Sequence, residues 1–351
     1  MGNGFTTFRV ERIVRESSII SSFYLRPETP LERDFVPGEY LLFELALNGS
    51  GRLRREYSIS GQKDGLLRVT IKHEVAPKHG LPDGLVSGHF HRQINEGDHV
   101  RAAGPMGQFN LDRKSGRAVV LLSGGVGLTP LVAMAHELAA GQRPTVFIHA
   151  CENGAVHAMG QEIRALAGAH DSFSTHFCYR EPVEGDVPGR DYDSTGFITR
   201  GTLEHLLPGG ECDFYLCGPG PFMQAMYDLL LDMGISEERI AYEFFGPATV
   251  LKAKGRAPSP RPAAPDDAPM VTFAKSGLSV PWDGACANLL EFAEEQGVLI
   301  DHSCRSGSCD TCKTKVLSGD VRYAVEPFEL PDKGFALMCC SFPEGDLELD
   351  V

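Results

Sequence analysis

The chain has 351 residues, 42% apolar and 23% charged, a composition that excludes a wholly disordered protein. At roughly 100–200 residues per domain, this length predicts two or three domains. A net charge of −14, from 33 basic and 47 acidic residues, argues against a nucleic-acid-binding face. No run of ~18 apolar residues is present to cross a membrane. The opening MGNGFTTFRV carries no basic stretch ahead of an apolar one, so no secretory signal is expected.

Residues 1–111 read as short alternating strands punctuated by Gly and Pro. Tyr40–Leu47, Glu56–Ser60 and Leu66–His73 are the clearest, and the pattern predicts an antiparallel barrel. From 112 to 250 the pattern becomes strand, loop, helix. Strands are predicted at Ala118–Leu122, Thr145–Ala150, Phe173–Tyr179 and Asp213–Leu216. Helices are predicted at Thr129–Ala140, around His157–Ala167 and at Pro221–Met233. Such alternation predicts a doubly wound α/β domain. Residues 251–269 read as a linker: Lys252–Pro269 holds five prolines and no apolar periodicity. Proteolysis between Leu251 and Met270 should therefore release two stable pieces.

Residues 270–351 form the last predicted module, with a hairpin over Met270–Trp282, a helix over Asn288–Gln296 and then a cysteine-rich loop. This module has 14 acidic and 6 basic residues, a net of −8. The other 269 residues have 33 and 27, a net of −6. An acidic module of this kind can be steered towards a basic partner.

The ten cysteines do not read as a secreted disulfide framework. Cys304, Cys309 and Cys312 crowd into nine residues, with Cys339 and Cys340 adjacent further on. C-x4-C-x2-C with a later cysteine is the plant-type [2Fe–2S] spacing. Structural zinc modules more often pair CxxC knuckles. A metal site of thiolates predicts a reducing, cytoplasmic location. Either Cys339 or Cys340 is the fourth ligand on spacing alone.

Five further stretches carry chemistry. In Arg55-Glu56-Tyr57-Ser58 the alternation of a strand puts Arg55 and Tyr57 on one face, a phosphate clamp beside a stacking ring. Gly84-Leu85-Val86-Ser87 follows Lys72-His73-Glu74. Gly124-Gly125-Val126-Gly127-Leu128-Thr129-Pro130 joins a strand to a helix, where glycines admit a diphosphate to the helix N-terminus. Cys217-Gly218-Pro219 stands at another strand end, and Tyr242-Glu243-Phe244-Phe245 closes the α/β segment. The twelve histidines form no convincing metal set.

RxYS followed by KHE and GLVS resembles the ferredoxin reductase superfamily, as do GxGxxP at Gly125–Pro130 and CGP at Cys217–Pro219. Residues 1–251 resemble the reductase part of flavohemoglobins, through REYSIS, GDHVRAAGPMGQF, SGGVGLTP, HACENGAVHAM and FYLCGPGPFM. Residues 270–351 resemble plant-type ferredoxins, in which a cysteine four residues before a proline selects Cys339 with Pro343. The flavohemoglobin globin has no counterpart in this sequence, so a separate acceptor is expected. The order of flavin, nicotinamide and iron–sulfur modules resembles reductase components of Rieske-type oxygenases and the reductase of hybrid cluster protein.

The resemblance implies three domains: an antiparallel β-barrel for flavin, a doubly wound α/β domain for nicotinamide, and an α+β β-grasp ferredoxin domain. It implies FAD, although some reductases of this order use FMN. Arg55 would hold the phosphate and Ser58 would lie near flavin N5, with Ile59 and Lys72 among the flavin contacts. Tyr57 and Phe245 would sandwich the ring, and Gly84, Leu85, Val86 and Ser87 would take the pyrophosphate. Gly124, Gly125, Gly127 and Thr129 would contact the dinucleotide, together with Gly218 and Pro219, and Cys217 would sit near the nicotinamide. Tyr57, Ser58, Cys217 and Phe245 are thus the catalytic candidates, and Cys304, Cys309, Cys312 and Cys339 the metal ligands. NADH is favoured over NADPH because Cys151-Glu152-Asn153 offers no arginine after its strand and Glu152 would repel a 2′-phosphate. The expected activity is NADH-dependent electron transfer through FAD and the cluster to a partner protein, foremost a Rieske-type oxygenase. Alternatives are a hybrid-cluster or nitrosative-stress partner, or a redox-sensing module without turnover.

Overall fold

A computed structural model describes residues 4–47, 51–76, 83–245, 251 and 268–351. They fall into two compact units, one reaching to Phe245 and including Leu251, the other holding the C-terminal module. Residues 252–267, most of the expected linker, lie outside the described residues.

The first unit opens with β1 (Phe5–Arg15), β2 (Ile20–Pro27), β3 (Tyr40–Leu47), β4 (Gly51–Lys63), β5 (Leu66–Lys72), α1 (Leu85–Arg92) and β6 (His99–Met106). The six strands close an antiparallel barrel in the order β1-β2-β5-β4-β3-β6. Alternate residues supply its core: Phe8 and Val10, Phe23 and Leu25, Leu41 and Phe43, Val69 and Ile71 are buried together. The expected strand at Glu56–Ser60 is the middle of a 13-residue β4, because β3 pairs along it from Leu47↔Gly51 to Tyr40↔Ser58.

The same unit continues with β7 (Ala118–Gly124), α2 (Leu128–Ala140), β8 (Thr145–Cys151), α3 (Gly160–Ala169), β9 (Phe173–Tyr179), β10 (Ser194–Thr195), α4 (Arg200–Leu206), β11 (Cys212–Gly218), α5 (Gly220–Asp232) and β12 (Ile240–Phe244). These strands form one sheet, β10-β9-β8-β7-β11-β12, with parallel neighbours throughout. The unbroken apolar run of β7 reflects burial on both faces. Val119 and Leu121 pack with residues of α2 and α3, whereas Val120 and Leu122 pack with residues of α4 and α5. Helix α3 starts three residues later than expected, because Met159 ahead of it takes a left-handed φ of 54°.

The second unit comprises β13 (Met270–Phe273), β14 (Leu278–Pro281), α6 (Leu289–Glu295), β15 (Lys313–Ser318), β16 (Val321–Tyr323), β17 (Phe335–Leu337), β18 (Ser341–Pro343) and β19 (Leu347–Leu349). Five strands form a mixed sheet, β14-β13-β19-β15-β17, and β16 pairs with β18. Asn288 caps α6 by accepting the Glu291 N–H at 2.9 Å. Leu289, Leu290, Phe292 and Ala293 of α6 are buried with Val271, Phe273, Leu337 and Leu349. This is the α+β grasp arrangement, and the chain is multidomain.

Candidate functional site

On β4, Arg55 and Tyr57 share a face. The Arg55 guanidinium donates to the Arg54 carbonyl at 2.6 Å. The Tyr57 ring packs 5.8 Å from Phe43 and 5.7 Å from Phe90, and burial raises its hydroxyl pKa. An aromatic wall thus steadies the ring from behind. Ser58 is 4% exposed. Ile59 differs in kind: its side chain is fully buried in the barrel core and its N–H donates to the Glu39 carbonyl at 2.8 Å. Lys72 pairs with Glu74 at 2.9 Å.

Gly84-Leu85-Val86-Ser87 is not a plain loop but the start of α1, with Gly84 as its N-cap. A helix leaves its first N–H groups without intrahelical partners, here those of Leu85, Val86 and Ser87, at the positive end of its dipole. Such an end is suited to an anion. A Cβ on Gly84 would lie 2.6 Å from Ser87 Oγ and 3.0 Å from Glu74 Cβ. Ser87 Oγ accepts the Glu74 N–H at 3.2 Å and donates to the Gly84 carbonyl at 3.3 Å, so the hydroxyl shapes the turn. Val86 is buried in the core, while Leu85 is 49% exposed.

The two βα turns of the parallel sheet pack directly on one another. Gly125 has φ +52°, and a short 3-10 turn, Gly125–Gly127, leads into α2. A Cβ on Gly127 would lie 2.3 Å from the Cys217 carbonyl oxygen. One on Gly218 would lie 2.7 Å from the Phe222 ring, and one on Gly124 2.8 Å from the same ring. These glycines are required by contact, and they leave backbone rather than side chains at the strand ends. Thr129 is 2% exposed in the first turn of α2, and Pro219 caps α5.

Cys217 is fully buried between Ser123 of β7 and Glu243 of β12 in the strand register, and burial raises its thiol pKa. Glu243, opposite Cys217, is a residue that motif reading passed over. Its Oε2 is shielded and has no hydrogen-bond partner in the structure. Burial, with a smaller contribution from the Glu56 charge, pushes its pKa up to about 8. A carboxyl inside the aromatic run YEFF was the available signal. Phe245, just past β12, is 40% exposed, as a ring available to cover a flat ligand would be.

After β8 the fold also supplies what the local sequence lacked. Arg180, from the end of neighbouring β9, pairs with Glu152 at 2.9 Å. An arginine therefore does stand at this end of the sheet, held by the carboxylate expected to repel a 2′-phosphate.

In the second unit the cysteine loop is wound by three residues with positive φ: Arg305 at 52°, Gly307 at 75° and Asp310 at 61°. This winding turns backbone N–H groups onto sulfur. Ser306 and Ser308 each donate to Cys304 Sγ at 3.4 Å, and Cys304 donates to Cys309 Sγ at 3.5 Å. Cys304 also takes hydrogen bonds from the thiols of Cys309 and Cys339, and Cys312 from that of Cys339, which lowers both pKa values. Cys340 Sγ instead donates to the Leu337 carbonyl at 3.5 Å. Four neighbouring thiols, with N–H donors aimed at Cys304 and Cys309, fit an iron–sulfur cluster, whose sulfurs need such donors.

Comparison with known proteins finds a family for each of three stretches. Residues 7–111 match the oxidoreductase FAD-binding domain family, 121–228 the oxidoreductase NAD-binding domain family, and 272–344 the 2Fe-2S iron-sulfur cluster binding domain family. The crystallised flavohem-like FAD/NAD-binding domain of nitric oxide dioxygenase from Vibrio cholerae O1 biovar El Tor is 34% identical. That match has a TM-score of 0.61 and covers 69% of this chain and 99% of that one.

The chain belongs to the ferredoxin reductase superfamily. Its cofactors are FAD, NADH and a [2Fe–2S] cluster, and the reductase is an oxidoreductase. It is 37% identical over 253 residues to the flavohemoprotein of Bacillus thuringiensis subsp. konkukian (strain 97-27), covering 71% of this chain and 62% of that protein. It thus spans less than two thirds of the flavohemoprotein's length. Phthalate dioxygenase reductase, described as modular for electron transfer from pyridine nucleotides to [2Fe-2S], shares the whole fold. There the TM-score is 0.56 with 24% identity, covering 99% of this chain and 98% of that one. Among the described residues no helix is long and apolar enough to cross a membrane.

Proposed function

We propose that the reductase carries electrons from NADH through FAD and its [2Fe–2S] cluster to a separate acceptor protein, the terminal component of a Rieske-type oxygenase. The reading is supported by the presence on one chain of a glycine-capped helix start at α1, glycine-packed βα turns at Gly127 and Gly218, and a thiol loop lined by N–H donors. The flavin converts a two-electron donor into single electrons that a cluster can relay.

In this reading the chain's residues bind, orient and exclude water. Arg55 and the first N–H groups of α1 hold the flavin's phosphates, and Tyr57, backed by Phe43 and Phe90, supports its ring. Phe245 covers the opposite face until nicotinamide replaces it. Ser58 and Cys217 bound the position where nicotinamide meets flavin, with the Glu243 carboxyl held protonated behind them at neutral pH. Cys304, Cys309, Cys312 and Cys339 ligate the cluster, and Cys340 stays a buried thiol. No group on the chain is asked to act as a general base.

A second reading, a nitrosative-stress or hybrid-cluster acceptor, is favoured by the flavohemoprotein relatives at 36–42% identity. It keeps the same internal route and differs only in the acceptor. Anaerobic titration with NADH, followed by visible and electron paramagnetic resonance spectra, tests the route: flavin bleaching with a reduced [2Fe–2S] signal is expected. Cys309→Ser and Cys339→Ser should abolish cytochrome c reduction through the cluster and spare direct dye reduction by the flavin. Cys340→Ser should keep both. Equal loss of both activities in Cys309→Ser would contradict the order of carriers. Steady NADH turnover with a dye excludes a silent sensor.

A further inference from the structure

We infer that Glu162 is a positioning residue for hydride transfer, locking the flavin strand of the barrel to the dinucleotide helices through a part-buried ion pair. The inference rests on the placement of flavin along β4 proposed above.

Arg68 of β5 has only 8% of its side chain exposed, and its donors point in two directions. Towards the barrel, Nε donates to Ser60 Oγ at 3.0 Å and Nη2 to the Ser60 carbonyl at 2.8 Å. Ser60 lies two residues beyond Ser58 on β4. Towards the α/β domain, Nη1 donates to Glu162 Oε2 at 2.6 Å and Nη2 to Oε1 at 2.8 Å, a fork-to-fork pair. The same Oε1 bonds His136 Nε2 at 2.5 Å. Glu162 belongs to α3 and His136 to α2, the helix that opens at the Gly125–Gly127 turn. One carboxylate therefore ties β4, β5, α2 and α3 together.

The surroundings are built for this pair. The Ser60 hydroxyl continues through Thr70 Oγ1 to Ser22 Oγ, each step 2.8 Å. A Cβ on Gly61 would lie 3.2 Å from the Arg68 guanidinium, so glycine keeps that space open. Burial pushes the Glu162 pKa up, but the hydrogen bonds of His136 and Arg68 outweigh it and hold the carboxyl at about 2. The pair thus stays charged throughout the working range. A charged, bidentate link has one geometry, whereas apolar packing between two domains tolerates sliding. Hydride transfer needs donor and acceptor within a few tenths of an ångström of one arrangement, and this link spans the two domains that carry them.

The test uses the full chain loaded with FAD. Glu162→Gln preserves shape and removes the charge. At saturating NADH the anaerobic rate of flavin bleaching should fall about tenfold. Half-saturating NADH should stay within about threefold and FAD should remain bound. The long-wavelength absorbance of nicotinamide stacked on flavin should weaken in parallel. His136→Asn, at a half-exposed position, should slow bleaching by less, and the double variant should be no slower than Glu162→Gln alone. A folded, FAD-loaded Glu162→Gln protein that bleaches at the wild-type rate overturns the inference. So does a rate loss that merely tracks lost FAD. Should Glu162→Gln fail to fold, an unchanged rate in His136→Asn overturns it instead. If the wild type itself shows no bleaching by NADH, the functional reading beneath the inference fails first.

Discussion

Glu243 and Glu152 show how a carboxylate's surroundings decide its work. Glu243 sits in the sheet edge beside Cys217 with Oε2 unpartnered, and its pKa is pushed up to about 8. The folded protein therefore binds a proton that the unfolded chain releases near pH 4.5. Its contribution is neutral below that value and increasingly destabilising as pH rises towards 8. Thermal stability of the FAD-loaded protein should decline between pH 5 and 8, and Glu243→Gln should flatten that decline; a parallel slope in the variant would remove Glu243 as the cause. Glu152 is exposed and ion-paired to Arg180. Glu152→Ala leaves the Arg180 guanidinium with only its longer contact to Glu181 at 3.5 Å, better able to meet a phosphate. The NADPH-to-NADH ratio of kcat/KM should rise by about tenfold, equivalent to about 1.4 kcal/mol. No change in the ratio would place the 2′ position elsewhere.

Among the elements, α1 and α2 do most to build the proposed site, because each presents its N-terminus where a strand or loop delivers glycine. At α2 the requirement is steric: the Gly127 Cα hydrogen points at the Cys217 carbonyl, with 2.3 Å left for a methyl carbon. Gly127→Ala must push α2 away from the end of β11. The expected result is a loss of about 1–3 kcal/mol of stability and a raised half-saturating NADH concentration, with FAD content unchanged. Calorimetry and NADH titration of the same preparation check both, and wild-type NADH binding in the variant would show that the turn does not meet the dinucleotide. The capped helix α6 plays a different part, burying one face under the sheet of the second unit so that the cysteine loop starts from a firm base.

Across the whole molecule, charge is distributed by module. The 82 residues from Met270 hold a net −8, more than half of the excess. Exposed charges act over about 8–10 Å at physiological salt. They therefore govern encounter rates more than bound affinity. Cluster-dependent reduction of cytochrome c, a basic acceptor, should slow several-fold between about 50 and 300 mM salt. NADH-driven dye reduction by the flavin should not follow it. A salt-independent cytochrome c rate would mean that the acidic module does not steer its acceptor.

What was legible in the sequence follows from local physics. β3, β9 and the βα turn at Gly125 were readable because a strand's period, a buried apolar run and a glycine before a helix are local signals. The iron–sulfur loop was readable because ligand spacing is itself the constraint. The placement of α1, by contrast, depends on Gly84 and Ser87 closing a turn against Glu74, and the length of β4 depends on its pairing with β3. Cys339 and Cys340 are neighbours in the chain, and only the folded loop turns the first towards Cys304 and Cys312 and the second towards Leu337. Arg180 meets Glu152, and Arg68 meets Glu162, across 28 and 94 residues. Composition, period and ligand spacing by themselves indicated the kinds of element and the iron–sulfur loop, while the flavin and nicotinamide followed from the resemblance that the motifs carry. The partners of individual charges were decided by tertiary structure, since a side chain's pairing is set by which strand ends and helix faces the fold brings together.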